Sequence, residues 1–119
     1  MRIISGKFKG KKIYEPSDKT TRPLKDLTKE SIFNIIKHSN KFKLSLENSD
    51  ILDLFSGVGS FGLEALSRGA KYVTFVENYQ NVLEILKKNI EKLEFKKKST
   101  IIKSDVFQNN FFKKIEKKF

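Results

Sequence analysis

Residues 50–62 read D-I-L-D-L-F-S-G-V-G-S-F-G, and the order of residue types in that stretch decides the fold. An apolar run (Ile51, Leu52, Leu54, Phe55) stops at Gly57-Val58-Gly59, and a helical pattern (Phe61, Leu63, Ala65, Leu66) starts at once. Strand, glycine turn and helix in that order form the ligand-holding corner of a doubly wound α/β sheet. One glycine lets the chain reverse, and a second lets backbone approach a ligand with no Cβ in the way. Gly62 lets the new helix lie close to the strand it has just left. Asp53 discriminates between ligands. A carboxylate in the last turn of a buried strand is costly to desolvate without a partner, here a cationic ligand group or N–H groups of the loop.

Two ligands compete for such a corner. A dinucleotide would use the G-x-G-x-x-G spelled by Gly57, Gly59 and Gly62, with its pyrophosphate at the helix N-terminus. S-adenosylmethionine has no phosphate and carries an ammonium, a sulfonium and a carboxylate, so an acid four residues before the first glycine suits it better. A glycine turn with no ligand is the plain structural alternative.

Toward the C-terminus, the helix runs to Arg68 and stops at Gly69. Lys71 to Val76 reads as a second strand ending at Glu77, about twenty residues beyond Gly57, where an acid accepts hydrogen bonds from a ribose diol under either ligand reading. From Asn78 a long helix carries the stripe Val82, Leu83, Leu86, Ile90 and Leu93, with Lys87, Lys88, Lys92, Lys96, Lys97 and Lys98 in its C-terminal turns complementing the helix dipole. Thr100 to Lys103 reads as a third strand, with Asp105 just past it. Ligands of doubly wound sheets lie beyond the carboxyl ends of the strands. Asp53, Glu77 and Asp105 are therefore expected in one crevice, Asp105 receiving the adenine amine. A last amphipathic helix is expected from Phe107, with Phe111, Phe112 and Ile115 on its apolar face.

Toward the N-terminus, Asn40 to Ser49 is a polar link. Before it, Thr21-Arg22-Pro23 opens a helix with Leu24, Leu27, Ile32, Ile35 and Ile36 at helical spacing through Ser39. Lys29 and Glu30 read as a solvated face beside that stripe. Residues 1–16 form a hairpin-like ribbon (Arg2–Ile4 and Lys11–Tyr14 around Gly6 and Gly10), isolated at the terminus and with little apolar surface to bury. Its Lys7, Lys9, Lys11 and Lys12, interleaved with Phe8 and Tyr14, suit phosphates and a stacked base, or equally protect an edge against aggregation.

Composition narrows the choice. The 119 residues make one domain, and with no cysteine there is neither a disulfide framework nor a thiolate metal site. The single histidine, His38, has no clustered partners, which argues against zinc, and reads as a surface or capping residue at a helix end. No apolar run reaches the length of a membrane span and no signal-peptide core opens the chain, so a cytoplasmic location is expected. The net charge of +11 fits a polyanion partner, most simply nucleic acid. A Lys-, Asn-, Ile- and Phe-rich composition also follows from AT-rich coding without any selection for binding.

Three stretches together resemble a known family: R-I-I-S-G-K-F-K-G-K-K-I, T-R-P-L-K-D-L-T-K-E-S-I-F-N and D-L-F-S-G-V-G-S-F-G-L-E-A-L-S-R-G-A. They are similar to the bacterial 16S rRNA (guanine-N2)-methyltransferases, and the resemblance runs over essentially the whole chain. It implies an incomplete Rossmann-like class I S-adenosylmethionine-dependent methyltransferase fold: the first three parallel strands, preceded by an N-terminal β-hairpin and helix. It implies S-adenosylmethionine as cofactor, with Asp53, Gly57 and Gly59 on the aminocarboxypropyl part, Glu77 on the ribose, Asp105 on the adenine, and Phe55, Asn78 and Val106 beside them. Ribosomal RNA would be held by Arg2, Lys7, Lys9, Lys11 and Arg22, with the helix from Arg22 closing over the methionine end. The chain departs from the family at Leu27, where an arginine is usual.

A larger departure concerns the chemistry. Such enzymes carry an N/D-P-P-Y/F signature that accepts hydrogen bonds from the target amine and stacks on the flipped base. The only prolines here, Pro16 and Pro23, lie outside any such motif. Residues 1–22 are thus expected to be a basic hairpin and connector, and 23–119 the cofactor-binding part of a methyltransferase domain whose catalytic half is absent, the chain being either truncated or one of two separately encoded pieces. A non-catalytic RNA- or S-adenosylmethionine-binding fragment and a piece of a dinucleotide oxidoreductase are the alternatives.

Overall fold

The computed structural model describes residues 1–17, 26–38, 45–108, 110–115 and 119. In chain order the elements are α1 (Asp26–His38), β1 (Asp50–Leu54), α2 (Ser60–Ser67), β2 (Tyr72–Glu77), α3 (Gln80–Lys92) and β3 (Ser99–Lys103). The strands form one parallel sheet in the order β1-β2-β3, as expected for the first half of a Rossmann-like sheet. Asp53 lies opposite Phe75, and Phe75 opposite Ile101.

The sheet is covered unequally. Val73 and Phe75 belong to the main core together with Leu63 and Leu66 of α2 and Val82, Leu83, Leu86 and Ile90 of α3. The α3 stripe is buried as its periodicity predicts, Leu93 included. Leu52, Leu54 and Ile102 alternate to the opposite face, lie outside that core and are only half-buried. β1 also has a free edge among the described residues, and every one of its five residues is half-exposed. None of the described helices is long and apolar enough to cross a membrane.

Both helices after the glycine turn end in Schellman motifs, in which a left-handed residue turns two N–H groups back onto the last carbonyls. At α2 the left-handed residue is Gly69, as expected, with Ala70 N–H donating to Ala65 O and Gly69 N–H to Leu66 O. At α3 it is Glu94, with φ 59°, and Phe95 N–H donates to Ile90 O at 3.0 Å. The helix therefore stops at Lys92, before the lysine run. Lys96–Lys98 form a separate 3-10 turn, which corrects the expectation of one helix reaching Lys98. The amphipathic helix expected from Phe107 is also not observed among the described residues, which form turns with one 3-10 turn at Phe112–Lys114, Phe111 being a buried anchor.

Two further expectations are overturned. In α1 the buried residues are Lys29 and Phe33, while Leu27 and Ile35 are 76% and 58% exposed. The reason lies in what α1 packs against: Phe33 stacks on Phe61 at 4.7 Å, and Lys29 meets a buried carboxylate. His38, in the last turn, is at the surface as expected. The second concerns the N-terminal ribbon, which is antiparallel (Ile3 N–H to Lys11 O, Gly10 N–H to Ile3 O, Ile13 N–H to Met1 O) but is not isolated. Ile3 and Ile13 are core residues, and Phe8 meets Phe95 edge-on at 5.1 Å. The predicted helix start at Thr21-Arg22-Pro23, including Leu24, and the Asn40 link fall outside the described residues, apart from the end of the link.

Candidate functional site

At the carboxyl end of β1 the chain leaves the strand through Phe55, whose φ of 56° is rare for a bulky residue and marks a forced turn. The glycine turn follows. Gly57, at φ 56°, has no atom within 4 Å of where a Cβ would stand, so its backbone faces open space that a ligand can enter. Gly62 is the opposite case: a Cβ there would lie 2.3 Å from the Phe75 ring, so only glycine lets α2 lie this close to β2. The open Gly57 matches the reading of the motif, while Gly62 serves close packing as read but against β2 and not against the strand the helix has just left.

Two of the three acids brace this turn. Asp53 is half-exposed as a residue but its carboxylate is withdrawn from water, and its Oδ2 accepts the Gly62 N–H at 3.1 Å, the loop-amide partner such a group needs. Burial pushes the Asp53 carboxyl up to about 7, the Gly62 N–H lowers it, and the charge of Glu77 raises it. That mutual influence places the two acids in one electrostatic environment. Glu77 Oε1 accepts from Gly57 N–H at 3.0 Å, and Oε2 accepts from Asn78 and Tyr79 N–H at 2.8 and 2.9 Å. Glu77 is thus first a strap between the end of β2 and the glycine turn. A carboxylate has about four lone-pair positions, which leaves room for a further donor.

Asp105 lies just past β3, half-buried, with its Oδ1 accepting the Phe107 N–H at 2.9 Å. Val106 is half-buried beside it, and Asn78 is exposed at the start of the loop after β2. Phe55 and Phe107 are 62% and 81% exposed, with ring centroids 5.7 Å apart. The ends of the three strands thus present acids, open backbone and two aromatic faces on one side of the sheet.

The ribbon residues are distributed differently. The ribbon lies along α2, Arg2 near Ser60 and Lys7 at Ser67, whose carbonyl accepts the Lys7 N–H at 2.8 Å. Seven helical residues span about 10 Å, so the exposed Lys7 and Lys9 stand far from the glycine turn, whereas Arg2 stands near it. Lys11 is exposed on the returning strand. Arg22 lies outside the described residues.

Three polar residues around the turn were missed by the sequence reading. Glu64, fully buried, accepts from Ile4 N–H (2.7 Å), Ser5 N–H (3.0 Å) and Arg68 Nε (2.8 Å), with Lys29 Nζ at 3.3 Å. Lys29, also fully buried, donates to Arg2 O at 2.6 Å and Ser60 Oγ at 3.1 Å. Asn89 accepts the Tyr14 N–H and donates to Tyr14 O and to Val58 O in the glycine turn. A signal existed for two of them: Glu64 interrupts the apolar run of α2, and Asn89 falls beside Ile90 on the stripe of α3.

A family model described as conserved hypothetical protein 95 matches residues 1–118. The chain is 40% identical over 94 residues to ribosomal RNA small subunit methyltransferase D of Haemophilus influenzae, covering 79% of this chain and 46% of that protein. To the protein of the same name from Escherichia coli strain K12 it is 35% identical over 94 residues, covering 79% and 44%. The structure of yhhF from Escherichia coli superposes with a TM-score of 0.72 at 31% identity, covering 88% of this chain and 52% of that one. The chain spans about half the length of the curated relatives it matches.

Proposed function

Because the chain belongs to the conserved hypothetical protein 95 family, whose relatives include proteins named as ribosomal RNA small subunit methyltransferases, we propose that it is the cofactor-binding part of an S-adenosylmethionine-dependent methyltransferase acting on guanine N2 of small-subunit ribosomal RNA. The observation that carries the cofactor reading is the trio Asp53, Glu77 and Asp105 at the ends of three adjacent parallel strands around an open Gly57. A pyrophosphate set against these acids is repelled, whereas a ligand with an ammonium and a ribose diol finds acceptors for both.

When bound, the cofactor supplies an electrophilic methyl on a sulfonium: the guanine N2 lone pair forms the new C–N bond, the S–C pair stays on sulfur, and N2 releases a proton. The residues of this chain bind and orient. Asp53 and the turn at Gly57 and Gly59 take the aminocarboxypropyl end, with Glu77 on the ribose hydroxyls and Asp105 on the adenine amine. Phe55, Asn78 and Val106 complete the wall. Arg2, Lys7, Lys9, Lys11 and Arg22 hold RNA phosphates, those at the far end of the ribbon anchoring RNA at a distance from the reacting base. The acceptors for the N2 proton come from a further segment, joined or separate, that adds a strand to the free edge of β1 and covers the second face of the sheet.

Calorimetry tests the cofactor reading. S-adenosylhomocysteine is expected to bind and NAD to give no heat. Glu77→Ala should weaken S-adenosylhomocysteine binding by on the order of 1–3 kcal/mol, the range for a lost charged acceptor. Tighter binding of NAD than of S-adenosylhomocysteine would overturn the methyltransferase reading.

The raised Asp53 carboxyl adds a pH signature. Its folded value of about 7 lies above the ordinary 3.8, so the folded chain holds a proton that the unfolded chain has lost. Stability should accordingly fall as pH rises from about 4 to 7. A ligand ammonium needs the ionised form, so binding below pH 7 must release that proton. Affinity for S-adenosylhomocysteine is therefore expected to rise roughly 25-fold between pH 5.5 and 7.5, and Asp53→Asn should flatten the profile. A flat profile in the unsubstituted chain would remove Asp53 from the ammonium site.

A further inference from the structure

We propose that Lys29 is a positioning residue that ties the N-terminal ribbon to the cofactor corner, so that RNA on the ribbon and cofactor in the glycine turn bind more tightly together than separately. The proposal rests on the cofactor and RNA reading above. An ammonium has three donors. Those of Lys29 face three acceptors from different parts of the chain: Arg2 O in the ribbon, Ser60 Oγ at the first residue of α2, and Glu64 Oε1 one turn further on. The ammonium is fully buried, so losing any one acceptor leaves charge unsolvated in the interior, which is strongly unfavourable. The three acceptors therefore keep their relative positions. Ser60 directly follows Gly59, and Glu64 also takes the Ile4 and Ser5 N–H groups. A ligand that fixes the glycine turn thus fixes the first strand of the ribbon.

The second strand has its own link, because Asn89 bonds both Tyr14 and Val58 O. Both strands of a basic ribbon are thereby joined to the turn through buried polar side chains. Thermodynamic reciprocity then requires that whatever steadies the ribbon also favours cofactor binding.

Amide hydrogen exchange with S-adenosylhomocysteine as probe reads this directly, on the 119-residue chain or, where the chain self-associates, on its complex with the completing segment. Saturating ligand should slow exchange at Ile4, Ser5 and Tyr14. Ser60→Ala removes one acceptor of Lys29 and leaves its pair with Glu64. In that variant the ligand should still bind and still slow Tyr14, but the response at Ile4 and Ser5, now carried by Glu64 alone, should be several-fold smaller. A short ribosomal RNA hairpin should raise affinity for S-adenosylhomocysteine by about fivefold or more, and by less in Ser60→Ala. Binding with no change at the three amides, an unchanged Ile4 and Ser5 response in Ser60→Ala, or RNA binding that leaves cofactor affinity unaltered would each overturn the coupling alone. Failure of S-adenosylhomocysteine to bind at all would overturn the cofactor reading as well.

Discussion

Incubated alone with ribosomal RNA and S-adenosylmethionine, the 119-residue chain is expected to transfer no methyl group and to sediment as self-associated species. Guanine N2 is a poor nucleophile because its lone pair is delocalised into the ring, and orientation against fixed acceptors is what makes its attack feasible. The strand ends offer acids suited to the proposed cofactor, and the sequence holds no N/D-P-P-Y/F run to receive the amine. Association has a structural cause. β1 has a free edge among the described residues, Leu52, Leu54 and Ile102 are half-exposed on the second face, and Phe55, Phe107, Leu27 and Ile35 are open to solvent. An unpaired edge beside uncovered apolar surface recruits other chains. Co-expression with a segment carrying the proline motif should restore both a defined stoichiometry and methyl transfer. The checks are a methyl-transfer assay and sedimentation velocity, and turnover by a monodisperse monomer would refute the prediction.

Glu64→Ala is expected to remove a large share of the folding free energy. The carboxylate takes two backbone N–H groups, the Arg68 Nε and the Lys29 ammonium with no exposure to water. Deleting it leaves the buried ammonium without its counter-charge, held only by Arg2 O and Ser60 Oγ, and takes the acceptor from the half-buried Ile4 and Ser5 N–H groups. Breaking a buried pair in this way costs about 3–5 kcal/mol, against a total of about 5–15 kcal/mol for an ordinary domain. Replacing both partners by apolar residues, as in Lys29→Met with Glu64→Leu, should be less damaging than Glu64→Ala, because the fully buried ammonium then goes with its carboxylate and only the partly exposed Arg68 loses a partner. Urea unfolding of the two variants decides the matter. A loss below about 1 kcal/mol for Glu64→Ala would mean that water reaches the site.

The glycine corner was legible because its information is local. Strand, turn and helix follow one another within thirteen residues, and Gly62 against Phe75 needs only the next strand to explain it. The same locality made the strand ends, and so the positions of Asp53, Glu77 and Asp105, readable by spacing. α1 was misread because apolar side chains occur on two of its faces, and the choice between them depends on the distant Glu64. A lysine beside a stripe reads as solvated until its carboxylate is known to be buried. The stop of α3 was missed because a glutamate, not a glycine, occupies the left-handed position at Glu94. The docking of the ribbon was invisible for a related reason: Gly6, Ile4 and Tyr14 find their partners sixty or more residues away.

That distance has a consequence for biosynthesis. Tyr14 is bonded to Asn89, a separation of 75 residues. A chain elongating at about 5–20 residues per second needs roughly 4–15 s to cover that interval. Until α2 with Glu64 and Ser67 is made the ribbon has nowhere to dock, and its second strand waits for Asn89, so Ile3 and Ile13, later core residues, remain in water for much of that interval. Contacts of such long range also close slowly once the partners exist. The first segment to leave the ribosome is thus among the last to be secured, and this nascent chain has a window of seconds in which a cationic, partly apolar arm is available to chaperones, proteases and any nearby polyanion.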